Sequence, residues 1–319
     1  MTTPALRLPL PLLLAMLTAI GPLSIDMYLP AMAAMAGSLS SDIHLELSVS
    51  TFLLGFALGQ ITGGPLSDRV GRRPVIFLGL ILFGIASIAL TYVSSLDGLL
   101  LLRGLQAIGG GLAVVNSTAI VRDNFDGTDI AKVLSMVAMI MMAAPLAAPL
   151  LGSLVLSFSG WRSIFGILSA YAAILIAILV WQLPESHPPH RRVKRSPWAG
   201  YATVIRHRVA RRYILMLASA YSGMFVFITA SPYLYLEHFG QSEQTFPWLF
   251  GANVVVIMLM NRLNIFWLRF WSPQRLLAAG IVLQFVSALA LLLLALSPHF
   301  ELPLVCLLYT SPSPRDLAV

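Results

Sequence analysis

Long apolar segments separated by short polar ones run along almost the whole chain. Nine of them are about as long as a bilayer-spanning helix, which needs roughly 20 residues. These segments are residues 8–35, 47–66, 74–94, 98–121, 131–157, 163–183, 213–236, 246–268 and 275–297. A tenth apolar segment begins at 302–308, but the sequence after it is too short and too polar to cross a bilayer. The pattern predicts an all-α integral membrane protein with about nine complete transmembrane helices.

The polar segments divide these helices into two groups. Residues 184–212 are rich in proline, histidine and arginine and form the longest polar stretch before the C-terminus. The predicted organisation therefore has four parts. They are a six-helix bundle at 1–183, a basic cytoplasmic linker at 184–212, a partial second bundle at 213–308 and an atypical tail at 309–319.

The first apolar segment has a second interpretation as a cleaved signal peptide, because small residues suited to cleavage surround position 34. Its apolar run is roughly twice as long as the usual signal core of about 7–15 residues. It also contains Asp26. Both features favour a retained transmembrane helix.

Composition and charge agree with a membrane protein. The chain is 58% hydrophobic and only 10% charged, which leaves too little polar surface to coat a soluble protein of 319 residues. Its net charge of +7 is spread over loops, so nucleic acid is not an expected partner. With the N-terminus in the cytoplasm, seventeen of the 20 lysines and arginines lie at the inner face, and Arg162 alone lies in an outer loop.

The sequence offers no sign of enzyme chemistry. Cys306 is the only cysteine, which excludes an internal disulfide and a cysteine-cluster metal site. We find no nucleophile motif, phosphate-binding loop or metal-ligand spacing. We therefore expect no enzymatic activity, no cofactor and no bound metal.

Glycines recur every four residues in the second predicted span, at Gly55, Gly59 and Gly63. This spacing puts them on one helix face, where a neighbouring membrane helix can approach closely.

Two ionisable residues lie well inside predicted spans. Asp26 and Arg103 differ in depth by about one helical turn, at ~1.5 Å per residue, so they could meet or nearly meet. A charge at the centre of a membrane helix costs about 2.5 to 3.5 kcal/mol, which makes both residues functional candidates. Burial and a nearby guanidinium act oppositely on the proton affinity of a carboxyl group, so a movement could load or unload a proton on Asp26. A fixed structural ion pair is the alternative.

The run GPLSDRVGRRPV at 64–75 lies between the second and third spans and predicts a tight loop at the cytoplasmic face. It resembles the corresponding loop of the major facilitator superfamily, although an ordinary basic turn would share its charge. The residues that match the pattern are Gly64, Leu66, Ser67, Asp68, Arg69, Gly71, Arg72 and Arg73.

Further motifs narrow the resemblance. LLLRGLQAIGGG at 100–111 is similar to the fourth-span motif of the superfamily, with Ala107 where the general pattern has glycine. The fifth span is similar to the antiporter motif at Pro145, Pro149 and Gly152. Together with IGPLSIDMYLPAM at 20–32, these runs resemble drug:proton antiporters of the bicyclomycin and chloramphenicol resistance (Bcr/CflA) type.

The resemblance implies a role for each matching residue. Asp26 would be the protonated carboxylate with Arg103 as its partner, and Pro145, Pro149 and Gly152 would form the flexible part of span five. A conformational latch would be formed by Gly64, Asp68, Arg69, Gly71, Arg72, Arg73, Arg122 and Asp123. Part of this latch packs on span eleven in the family, and the chain as given ends before that span.

The resemblance also implies the major facilitator fold of twelve helices, of which spans ten to twelve would be missing here. Two bundles would rock about a cavity near the membrane midplane. The candidate substrate-binding residues are Met27, Tyr28, Asn116, Met139, Tyr221 and Phe225, although ordinary helix packing is the simpler explanation for each one taken alone.

The implied function is export of drugs or other small amphipathic molecules across the bacterial inner membrane, driven by protons. The expected partners are the lipid bilayer, the drug and protons, and the expected oligomeric state is a monomer. A carrier of native metabolites on the same fold, or a truncated membrane protein that does not transport, are the alternatives.

Overall fold

The structure is a computed structural model, and it describes residues 8–39, 45–192 and 197–296. The described residues fold into helices joined by short turns. The helices are α1 (Leu10–Asp26), α2 (Met32–Ser38), α3 (Leu47–Val70), α4 (Arg72–Thr91), α5 (Leu96–Val114), α6 (Asn116–Asn124), α7 (Thr128–Ser159), α8 (Arg162–Gln182), α9 (Pro197–Arg206), α10 (Arg208–Pro232), α11 (Phe246–Trp267) and α12 (Pro273–Ala295). Short 3₁₀ turns occur at Leu29–Ala31 and Pro189–Arg191, and a π-helical turn at Tyr233–His238 follows α10.

Seven helical segments in the described ranges are long and apolar enough to cross a membrane, and two shorter apolar helices follow them. The long segments are Leu10–Ser38, Leu47–Val70, Arg72–Thr91, Leu96–Asn124, Thr128–Ser159, Arg162–Gln182 and Arg208–His238, and the shorter ones are Phe246–Met260 and Ala278–Leu293. Each coincides with one predicted span, so the all-helical membrane fold is confirmed. The predicted start of a tenth span at 302–308 and the tail at 309–319 lie outside the described residues.

The chain divides into two compact units between Arg195 and Ser196, within the predicted linker. In the first unit α5 packs against both α3 and α4, α4 also packs against α8, and α1 packs against α7. The second unit contains an aromatic cluster in which the ring of Phe250 lies 5.7 Å from that of Phe227 and 5.8 Å from that of Phe246.

Glycines allow α3 and α5 to approach closely, as the spacing in α3 predicted. A Cβ atom on Gly55 would lie 2.5 Å from the carbonyl oxygen of Gly104, and one on Gly63 would lie 3.1 Å from the Cα of Leu112. Close backbone contact of this kind drives helix association in lipid, where apolar side chains gain little by leaving the hydrocarbon.

The predicted loop at 64–75 is wrong. α3 continues through its charged residues to Val70, α4 begins at Arg72, and Gly71 alone lies between the two helices. Gly71 has a φ of 109°, a backbone conformation that other residues adopt only with strain. The charged run is therefore a helix end, one glycine and a helix start, and the charges project from helices.

The first predicted span is one membrane segment but not one continuous helix. α1 ends at Asp26, and a 3₁₀ turn precedes α2. Pro30 explains the break, because it has no N–H to donate to the carbonyl of Asp26 four residues earlier and its ring crowds that carbonyl. By contrast, α7 runs without a break through Pro145 and Pro149.

The predicted linker at 184–212 contains more structure than its composition indicated. It includes α9 and the first turn of α10. Its beginning belongs to the first unit, and there the Glu185 side chain accepts hydrogen bonds from the backbone N–H groups of Arg72 and Arg73.

Candidate functional site

Asp26 lies at the broken end of α1, deep in the first unit. Asp26 is 2% exposed, and its Oδ1 atom has no hydrogen-bond partner. Buried polar atoms in proteins are nearly always hydrogen-bonded, so an unpartnered carboxyl oxygen inside an apolar span requires an explanation. The position combines a carboxyl group with a local interruption of the helix.

Arg103 is fully buried on α5 and reaches the same helix as Asp26. One terminal nitrogen donates to Oε1 of Gln106 at 2.6 Å, and the other donates to the carbonyl oxygen of Ser24 at 3.0 Å. Gln106 in turn donates to the hydroxyl of Ser87 at 2.8 Å. The sequence predicted that Arg103 lies at nearly the same depth as Asp26, and in the structure Arg103 reaches the α1 backbone two residues before Asp26. Both side chains lie in the described part of the chain, and no ion pair joins them there.

Three aromatic rings surround the guanidinium of Arg103. Its Cζ atom lies 4.3 Å from the ring centre of Tyr28, 4.4 Å from that of Phe52 and 5.8 Å from that of Phe165. These distances are in the range of cation–π attraction. The hydroxyl of Tyr28 lies 2.9 Å from the hydroxyl of Ser48, which fixes the ring of Tyr28 to α3. Sequence analysis missed Phe52 and Phe165, because no spacing along the chain links residues from three separate helices.

Gly152 connects the span-five motif to the break in α1. A Cβ atom on Gly152 would overlap the carbonyl oxygen of Met27, so α7 and the segment after Asp26 touch through backbone atoms. Pro149 lies three residues earlier in the same helix. The sequence singled out this glycine for flexibility, and the structure gives it a second property, which is direct contact with the segment that carries Asp26.

Arg72 is the centre of the charged cluster where α3 meets α4. It donates to the carboxylate of Asp68, to the hydroxyl of Ser67 at 2.6 Å, and to the carboxylate of Asp123 at 3.3 Å. Arg122, another residue of the predicted latch, borders a cavity of about 320 Å³ together with Asp123. The lining of this cavity consists of Gly64, Ser67, Asp68, Arg72, Val115, Ala119, Arg122 and Asp123.

Glu185 belongs to this cluster, although sequence analysis did not identify it. Its two carboxylate oxygens accept from the backbone N–H groups of Arg72 and Arg73 at 2.9 and 3.1 Å. The first N–H groups of a helix lack partners within the helix, and a carboxylate there also compensates the positive end of the helix dipole. Next to it, the hydroxyl of Ser186 donates to Asp123 at 3.0 Å. The only sequence signal was an acidic residue directly after an apolar span.

The six candidate substrate-binding residues are divided between the two units, four in the first and two in the second. Met27, Tyr28 and Asn116 are buried in the first unit, whereas Met139 in the same unit is 65% exposed. Oδ1 of Asn116 has no partner, while its amide donates to the carbonyl of Leu112. The remaining two, Tyr221 and Phe225, belong to the second unit and stack with ring centres 6.4 Å apart.

Ionisable side chains buried among apolar membrane helices are rare and mark functional sites, so Asp26 and Arg103 are the candidate site of a multi-pass membrane protein. A family model of the Major Facilitator Superfamily matches residues 14–311, and the chain belongs to that superfamily. The resemblance found in the sequence is thereby confirmed.

Individual relatives are named for drug resistance. The bicyclomycin resistance protein homolog of Haemophilus influenzae is 29% identical over 89% of this chain and 73% of its own length. The chloramphenicol resistance protein of Pseudomonas aeruginosa is 33% identical over 79% of this chain and 60% of its own length. The chain thus spans less than three quarters of either relative.

Solved structures share the fold. The nucleoside transporter NupG superposes with a TM-score of 0.70 over 97% of this chain and 80% of its own, at 16% identity. At this level of identity the likeness concerns the fold alone.

Proposed function

We propose that the protein is a proton-coupled antiporter that exports drugs or other small amphipathic molecules across the bacterial inner membrane by alternating access. The printed names of its relatives support the drug class of substrate. Membership of the superfamily supports coupling of a small-molecule substrate to protons.

The observation that carries the proposal is the state of Asp26. An ionised carboxylate with an unpartnered oxygen in a buried position is costly, and a bound proton removes the charge. A movement that admits water, or that brings a cation closer, restores the charged form and releases the proton. Asp26 lies at a break in α1 that contacts Gly152 of α7, so a change in helix packing reaches the carboxyl group directly.

We assign the partner role to Arg103 and the role of latch to the charged cluster around Arg72. The orientation proposed here places the N-terminus and the α3–α4 turn in the cytoplasm, because three arginines lie at that turn. Drug would enter from the cytoplasm or inner leaflet and protons from outside. Coupling then needs only that drug and proton favour different conformational states.

For the substrate we keep the six candidates proposed from the sequence, because methionine and aromatic side chains form adaptable apolar surfaces.

The test is proton-gradient-dependent efflux of a panel of antibiotics from cells that express the complete native gene. Asp26→Asn keeps the size of the side chain but cannot exchange a proton, so its efflux should fall to the level of cells without the gene. Asp97→Asn is the matched control, because Asp97 is exposed in the first turn of α5, and it should export like the wild type.

Two outcomes would count against the proposal. If Asp26→Asn retained gradient-dependent efflux, Asp26 would not be the coupling carboxyl. If the inserted wild-type protein exported no member of the panel, the drug assignment would give way to a carrier of native metabolites or to a protein that does not transport.

A further inference from the structure

The positive charge of Arg103 is buried and is not neutralised by a carboxylate in the described part of the chain. A buried charge that lacks a counter-ion is strongly unfavourable unless other groups stabilise it. Here the polar groups that contact the guanidinium, which are Gln106, the carbonyl of Ser24 and the hydroxyl of Tyr28, are all neutral, and Nε of Arg103 has no acceptor at all. Some other interaction must hold the guanidinium where it is.

The three surrounding rings supply that interaction. Tyr28 follows the broken end of α1, Phe52 lies on α3 and Phe165 on α8, so the rings come from three separate parts of the chain. All three residues are at most 1% exposed. Cation–π attraction is strongest in such desolvated positions, because water does not compete for the cation.

We propose that Tyr28, Phe52 and Phe165 form an aromatic cage that holds the Arg103 guanidinium apart from Asp26 and thereby leaves the carboxyl group free to exchange protons. In this proposal Tyr28 and Phe52, whose rings are nearest, are positioning residues for proton coupling. The inference rests on the proposed function, because it gives the cage a task only if Asp26 and Arg103 couple protons to transport.

The location of Tyr28 makes the cage responsive to movement of α1. Tyr28 is two residues from Asp26, on the segment whose backbone contacts Gly152, and its hydroxyl is bonded to Ser48. A shift of this segment moves the ring and the carboxyl group together relative to Arg103. The guanidinium would then change partners, contacting the aromatic cage in one conformation and the carboxylate of Asp26 in the other.

The cage can be tested with fluorinated phenylalanines at position 52, introduced into the full-length protein by nonsense suppression. Each added fluorine weakens the ring's attraction for a cation while changing its size little, so a purely steric role would not respond. Phe83 offers a matched control, because it is equally buried in α4 of the same unit and has no cation–π contact in the described structure.

Two quantities should be measured for each variant. The first is the unfolding temperature of the purified protein, which should fall stepwise with fluorination at Phe52 and stay constant at Phe83. The second is the ratio of gradient-driven efflux to drug counterflow, which reports coupling separately from substrate binding. From the strength of buried cation–π contacts, this ratio of efflux to counterflow should fall by roughly three- to thirtyfold from no fluorine to full fluorination at Phe52.

Substitutions at Tyr28 provide a second arm. Tyr28→Phe keeps the ring and should retain coupling. Tyr28→Leu removes the ring and should lower the ratio of gradient-driven efflux to counterflow, even where counterflow itself falls because Tyr28 is also a candidate substrate-binding residue. If Tyr28→Phe lost coupling as fully as Tyr28→Leu, the hydroxyl, through its bond to Ser48 or its contact with Arg103, and not the ring would be responsible, and the cage would be refuted.

The outcomes separate this inference from the proposed function. A constant unfolding temperature across the Phe52 series would refute the cage whatever the transport result. A stepwise unfolding temperature with an unchanged coupling ratio would reduce the cage to a stabilising contact and refute its positioning role. If the wild type showed neither efflux nor counterflow, the proposed function and the positioning role would both fall, while the unfolding series would still decide whether the rings bind Arg103.

Discussion

Replacing Gly152 with alanine would place a Cβ atom on the carbonyl oxygen of Met27. The same Cβ would lie 2.7 Å from the carbonyl carbon and 3.1 Å from the Cα of Met27, so three backbone atoms of one residue resist it. Backbone atoms cannot rotate away as the end of a flexible side chain can. Either α7 or the segment after Asp26 must move by an ångström or more.

Two opposing contributions set the magnitude. Alanine in a helix interior is favoured over glycine by about 0.5 to 1 kcal/mol. Overpacking in a dense interior costs about 1 to 3 kcal/mol and sometimes more, and this contact is among the closest in the unit. We therefore expect Gly152→Ala to lower the free energy of unfolding by about 1 to 2 kcal/mol and to reduce gradient-driven efflux, because the displaced segment carries Asp26.

The assay is thermal unfolding of the purified protein together with efflux from cells, and Gly166→Ala is the control. Gly166 also lies inside a membrane helix, but the nearest atom to its added Cβ would be Cγ2 of Thr91 at 3.9 Å, an ordinary contact. Gly166→Ala should be neutral or stabilising by up to about 1 kcal/mol. If Gly152→Ala matched the control in both measurements, the direct contact between α7 and the Asp26 segment would be refuted.

Two further predictions concern the end of the bundle where α3 meets α4. Glu185→Ala removes the acceptor for two backbone N–H groups at the start of α4, and should lower the free energy of unfolding by about 1 to 2 kcal/mol, with Glu185→Gln retaining part of the difference in a denaturation assay. Arg72→Lys keeps the charge but cannot reach Ser67, Asp68 and Asp123 together, so efflux should fall in a transport assay. The control Lys132→Arg, at an exposed ion pair with Asp129, should leave efflux unchanged, and equal efflux from the two variants would contradict a role for the forked geometry of Arg72.

Hydropathy was sufficient to predict the spans, because a helix that crosses hydrocarbon must be apolar over about 20 residues whatever its neighbours are. The glycine spacing in α3 was equally informative, since a repeat of four fixes a helix face without any tertiary knowledge. Both properties are local, and both agree with the structure.

The errors arose where charge or proline acts within an apolar span. The loop predicted at 64–75 treated charged residues as loop residues, although Asp68 and Arg72 are four residues apart and bridge the turn at Gly71. The break after Asp26 was overlooked because hydropathy does not register a missing backbone hydrogen bond, yet Pro30 was a readable sign of it.

The surroundings of Arg103 lay beyond the reach of sequence reasoning. Helical rise brought Arg103 to the correct depth, but its partners are a backbone carbonyl, a glutamine side chain and rings from three separate parts of the chain. Which rings meet is decided by how helices pack, and a single sequence contains no spacing that records it.

The single residue between α3 and α4 has a mechanical consequence. Consecutive Cα atoms are about 3.8 Å apart, so one glycine gives the two helix ends almost no slack. At the same position, Glu185 accepts a hydrogen bond from the first residue of α4, and the side chain of Arg72 connects α4 to Asp68 of α3. We therefore expect a movement of α3 at this end to displace the start of α4 and, through Glu185, the chain leaving α8.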